Sequence, residues 1–98
     1  FGPCVGIMPV ENDNEGVNLM NDSPYGLTAS IWTKDIGVAE KLGNEVNTGT
    51  LFMNRCDYLD PGLSWTGVKE TGKGCSLSEI AYEHLTKPKS FHLRKELK

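Results

Sequence analysis

The chain has 98 residues, 38% of them hydrophobic, and a formal net charge of -3, which is the composition of one small globular domain and excludes a disordered tail. No stretch approaches the roughly 18 apolar residues of a membrane span, so the chain reads as soluble with no membrane partner. Its acidic balance sets it against nucleic-acid binding, although Lys87, Lys89, Arg94, Lys95 and Lys98 make the last segment basic.

In chain order, the run CVGIMPV at Cys4 to Val10 predicts a short buried strand that Pro9 ends. Asn12 and Glu15 form a capping pair for a helix carrying Val17, Leu19 and Met20. Gly16 weakens that helix by about 1 kcal/mol relative to Ala, so it needs tertiary support. NDSPYG at Asn21 to Gly26 is a turn, with Asp22 and Ser23 accepting backbone bonds and Gly26 free to take a positive φ. LTASIWT then alternates as a strand with Leu27, Ala29 and Ile31 on one face, and Trp32 is expected in the core.

Asp35 caps a second helix in which Ile36, Ala39, Leu42 and Val46 recur at helical spacing, and Gly49 is its expected stop. TLFMN at Thr50 to Asn54 reads as the next strand. The order strand, helix, strand, helix, strand predicts an α/β fold with a partial, mostly parallel sheet and crossover helices. From Arg55 to Gly74 periodicity vanishes and glycines accumulate, as in long functional loops. Ser76 and Glu79 then predict a capping box for a short helix with Ile80, Ala81 and Leu85, and SFHLR after Pro88 predicts an exposed edge strand.

Cys4, Cys56 and Cys75 are odd in number, widely spaced and without a CxxC pair, which argues against a disulfide framework and a zinc site. A reducing compartment is expected, cytoplasmic or mitochondrial matrix. GVKETGKG at Gly67 to Gly74 matches the phosphate-cradling GxxxxGK pattern but has Gly74 where the magnesium-binding Ser or Thr belongs. Cys75 follows that loop near a helix start, and His84 lies more than two turns further on; neither histidine has a partner at metal spacing, so no metal is expected. Trp65 lies in the irregular segment where pockets are built, and core packing or a pocket wall both suit it.

Taken together and in order, FGP with its apolar run, NDSPYGL, the helix, NTGTLFMN and WTGVKETGKG resemble the carboxy-terminal portion of the aldehyde dehydrogenase superfamily, from Phe1 to the basic end. The resemblance implies that Phe1 packs near the nicotinamide ring of NAD or NADP, and that Trp65 and Leu59 wall the tunnel for an aldehyde substrate. It implies residues 1–85 as the end of the catalytic domain and 86–98 as the terminal strand of the oligomerisation region, so that Ser90 to Arg94 makes a subunit contact in a homo-oligomer. Nucleophilic cysteine, general-base glutamate, oxyanion-hole asparagine and cofactor domain would all lie upstream. No catalytic residue is therefore expected within the chain, which is expected to be inactive alone. Ser64, Trp65 and Thr66 replace the family's common Pro-Phe-Gly, and Cys75 and Ser76 stand where Arg-Glu is frequent, implying a differently shaped aldehyde channel. The alternative is a non-catalytic module that docks on a full-length dehydrogenase subunit through the Phe91 strand.

Overall fold

The computed structural model describes residues 2–97. Helix α1 (Asp13–Asn21) begins where expected: the Asn12 side chain accepts from the Glu15 N–H at 2.9 Å. The Glu15 carboxylate reaches back one residue further than a standard capping box, accepting from the Glu11 N–H at 2.7 Å. Strands β1 (Tyr25–Gly26) and β2 (Thr28–Ile31) follow, then α2 (Ile36–Glu45), whose cap Asp35 accepts from the Gly37 and Val38 N–H groups at 2.8 and 3.2 Å. These bonds satisfy donors that the helix start leaves without intrahelical partners.

Strand β3 (Thr50–Met53) returns parallel to β2, in register Thr28 to Thr50 through Ile31 to Met53. This β2–α2–β3 crossover is the fold's centre. Val17 of α1, Ala39 and Leu42 of α2 and Val46 at its end are buried, with Ala29, Ile31 and Val38 packed against the Val17–Leu42–Val46 cluster. The remaining strands are two-residue pieces: β4 (Trp65–Thr66), β5 (Val68–Lys69) and β6 (Cys75–Ser76). β5 pairs antiparallel with β1, and β4 antiparallel with β6. Helix α3 (Ile80–Leu85) closes the ordered elements. The α/β class holds, with small partial sheets of both senses and the parallel pair the longest.

Several local expectations are corrected. Cys4 to Val10 forms no strand; Val5 and Ile7 are 87% and 88% exposed, because no neighbouring strand satisfies their backbone. Ser90 to Arg94 likewise forms no strand, with Phe91 71% and Leu93 85% exposed. Trp32 lies outside the core at 69% exposure, since β2 ends at Ile31 before the alternation reaches it.

Gly49 does not stop α2, which ends at Glu45 with Val46 already extended. Its requirement is space: a Cβ there would run into the Thr66 carbonyl oxygen. Gly26 is needed for the same reason rather than for a positive φ, as a Cβ would lie 2.5 Å from Val68 Cγ2 and 2.7 Å from the Asn47 carbonyl oxygen. Ser76 does not cap α3: it sits in β6, Leu77 and Ser78 take positive φ, and Glu79 precedes the helix without a side-chain cap bond.

The chain has a radius of gyration of 19.9 Å and extents of 75 × 32 × 23 Å. A compact domain of this length would have a radius near ~13 Å.

Candidate functional site

The irregular segment is organised around Trp65. Its strand β4 pairs with β6, Trp65 opposite Ser76 and Thr66 opposite Cys75. Thr66 Oγ1 donates to the Gly74 carbonyl at 2.7 Å and closes the neck of the loop between them. Gly67 lets the chain fold tightly, because a Cβ there would meet Thr71 Cγ2 at 2.5 Å. The loop is then fastened to the α1–β1 turn: Glu70 N–H donates to the Pro24 carbonyl at 2.9 Å, and Gly26 N–H to Thr71 Oγ1 at 2.7 Å.

Lys69, at φ 55°, completes the attachment, its Nζ donating to the carbonyls of Asn21 at 2.8 Å and Ser23 at 2.9 Å. Asn21 in turn uses its side chain on the α2–β3 link, donating to the Glu45 carbonyl and accepting from the Asn47 N–H, both at 2.8 Å.

Trp65, half-buried, lines a hollow of about 460 Å³ together with Leu27, Thr71, Lys73, Cys75 and His84. Leu59 does not line it. That residue lies in the loop after β3 at 54% exposure, beyond the Arg55 guanidinium, which bonds Asp57 at 3.2 Å and stacks over the Tyr58 ring at 4.4 Å. Phe1, the residue that the resemblance sets against nicotinamide, lies outside the described residues.

Cys75 and His84 share the rim of the Trp65 hollow, which sequence spacing along one helix did not suggest. Cys75 belongs to β6 and only His84 to α3, so the turn between them folds back. The Cys75 thiol donates to the Ser76 carbonyl at 3.5 Å, a contact that supplies no base for a nucleophile. Among the described residues, no group of three or more His, Cys, Asp or Glu is placed to hold a metal ion, and no helix is long and apolar enough to cross a membrane.

A family model described as the aldehyde dehydrogenase family matches residues 1–91. The chain belongs to the aldehyde dehydrogenase family. It is 39% identical over 90 residues to phenylacetaldehyde dehydrogenase of Pseudomonas fluorescens, which covers 92% of the chain and 18% of that enzyme. It is also 30% identical over 96 residues to an NADP/NAD-dependent aldehyde dehydrogenase of Escherichia coli, covering 98% of the chain and 19% of that protein.

Among solved structures, the NAD+ complex of an aldehyde dehydrogenase from Bacillus cereus superposes with a TM-score of 0.84 at 30% identity, over 89% of this chain and 18% of the other. Betaine aldehyde dehydrogenase of Staphylococcus aureus superposes at 0.81 with 34% identity, over 85% of this chain and 17% of that one. The chain thus spans about a fifth of the length of the dehydrogenases it matches.

The Gly67–Gly74 loop does not fit the phosphates of a dinucleotide. GVKETGKG leads from the two-residue β5 into β6, whereas a phosphate cradle needs a strand running into a helix whose N-terminal amides face the anion.

Proposed function

We propose that this chain forms the carboxy-terminal part of an NAD(P)-dependent aldehyde dehydrogenase that oxidises an aldehyde to a carboxylic acid. The carrying observation is the superposition, at a TM-score of 0.84, on an aldehyde dehydrogenase in complex with NAD+. The chain's share is structural and steric. Trp65 contributes aromatic wall to the aldehyde channel, held by the β4–β6 pair and the Gly49–Thr66 close approach. Leu59 contributes a second wall position, and Phe1 the contact on the nicotinamide side. The segment from Ser90 to Arg94 contributes a strand to a subunit contact in a homo-oligomer, and the exposed Phe91 and Leu93 suit strand addition.

One observation supports inactivity of the isolated chain in this reading. The Cys75 thiol donates to its neighbour's carbonyl, and covalent catalysis needs a nucleophile and base within hydrogen-bond reach.

The test is aldehyde-dependent reduction of NAD+ and NADP+ by the natural polypeptide carrying this segment, captured with an antibody to Asn44 through Lys98. The panel contains acetaldehyde, phenylacetaldehyde and betaine aldehyde, and the 98-residue chain is run in parallel. Turnover by the captured polypeptide and none by the isolated chain is expected. Oxidation by the isolated chain overturns the division of labour. A captured polypeptide that reduces neither coenzyme with any of the three, but binds a separate dehydrogenase subunit, favours a docking role instead.

A further inference from the structure

We infer that Lys69 is a positioning residue for the substrate wall: its ammonium clamps the Trp65 loop to the end of α1 and thereby sets how far the Trp65 ring reaches into the aldehyde channel. This rests on Trp65 being channel wall, as proposed above.

The geometry carries the inference in three steps. Asn21 is the last residue of α1, a helix whose final turn holds no basic residue of its own. Carbonyls at a helix carboxy terminus lack intrahelical partners and carry the negative end of the helix dipole. Lys69 supplies the missing cation from 48 positions away in sequence, donating at 2.8 Å to the Asn21 carbonyl and at 2.9 Å to that of Ser23.

The same residue holds a left-handed backbone, φ 55°, which a side chain disfavours and which persists where surrounding contacts determine it. Its backbone lies in β5, opposite Tyr25 of β1. Hence the ammonium and the backbone of one residue grip the same turn from two sides.

Displacement at Lys69 has a short route to Trp65. Only Val68, Gly67 and Thr66 intervene, and this run has little slack: Gly67 abuts Thr71, and Thr66 is bonded across to Gly74. At the other end the clamp is anchored, since the Asn21 side chain ties α1 to the Glu45–Asn47 link beside the buried Val46. The wall is therefore registered to the hydrophobic cluster through Lys69 and Asn21, rather than hanging on the two-residue strands alone.

The test uses the natural polypeptide carrying this segment with Lys69→Met, which keeps the apolar stem and removes the donors, and Lys69→Arg, which keeps charge and donors. Lys69→Gln, with one amide donor group, serves if the Met variant does not fold. Amide hydrogen exchange of peptides spanning Trp65 to Ser76 is expected to speed up in the Met variant and to return toward wild type in the Arg variant. For phenylacetaldehyde, KM is expected to rise about five- to tenfold with kcat changed less than about twofold, while the acetaldehyde parameters shift less. Unchanged exchange in the Met or Gln variant overturns the clamp. Faster exchange with an equal loss on both aldehydes overturns the positioning role and leaves a structural one. A wild-type polypeptide that oxidises neither aldehyde overturns the dehydrogenase reading and with it the wall role, whereas the exchange result still decides the clamp separately.

Discussion

At the scale of single residues, the glycines report how closely the backbone segments approach. Gly49 lies against the Thr66 carbonyl and Gly26 against Val68 and the Asn47 carbonyl, so two glycines let β3's entry and β1 sit flush with the Trp65 loop. Gly49→Ala and Gly26→Ala are each expected to destabilise by about 2 kcal/mol, the scale of overpacking where backbone must shift. The drop in urea midpoint checks this, and an unchanged midpoint contradicts the close approach. Trp65 has a different kind of importance: it is half-buried on a hollow and bonded to nothing through its ring in the contacts described. With Trp65 as channel wall, as proposed above, Trp65→Ala in the natural polypeptide carrying this segment is expected to alter selectivity between phenylacetaldehyde and acetaldehyde by about tenfold, as losing wall contacts costs on the order of 1 kcal/mol or more. Measured kcat/KM ratios check it.

At the scale of elements, α2 and its flanking strands follow directly from local chemistry. Asp35 caps the helix as its sequence demands, and Ala39, Leu42 and Val46 bury the face that their spacing draws. Asp35→Ala is expected to cost about 1 kcal/mol through loss of the cap, and Leu42→Ala about 2 to 4 kcal/mol through the cavity it leaves. Thermal unfolding of the two variants should rank them in that order. This crossover was legible in sequence because its signals are local: a cap, a 3.6-residue period and two apolar strands. Cys4 to Val10 was not, since an apolar run becomes a strand only when a neighbour takes its backbone bonds, and neither was Ser90 to Arg94, where the alternation of Phe91 and Leu93 with polar residues is not matched by a strand. Trp32 misled for the related reason that alternation continues past the last paired residue, Ile31.

The Ser76–Glu79 motif failed because pairing with β4 claims Ser76 before the helix can. In the sequence Trp65 stood out by its place in the irregular segment, with core and pocket wall both open, and only the resemblance made it channel wall; the Lys69 bonds to Asn21 and Ser23 span more than forty residues and leave no local trace.

At the scale of the whole molecule, the small buried cluster and the long extents describe a chain that holds much of its apolar surface in contact with water. Val5, Ile7, Trp32, Phe91 and Leu93 all lie on that surface. Exposed apolar patches drive association. The isolated 98-residue chain is therefore expected to enhance the fluorescence of a hydrophobic dye and to self-associate in sedimentation, and a monodisperse chain that leaves the dye dark would contradict this.

In the proposed function these surfaces are completed by the rest of a dehydrogenase polypeptide, and the most direct test is the mass of the natural polypeptide detected by an antibody to Asn44 through Lys98. The chain covers 18% of the phenylacetaldehyde dehydrogenase it resembles, so a single species several times heavier than the 10.8 kDa chain is expected. A single species at the chain's own mass would contradict the account.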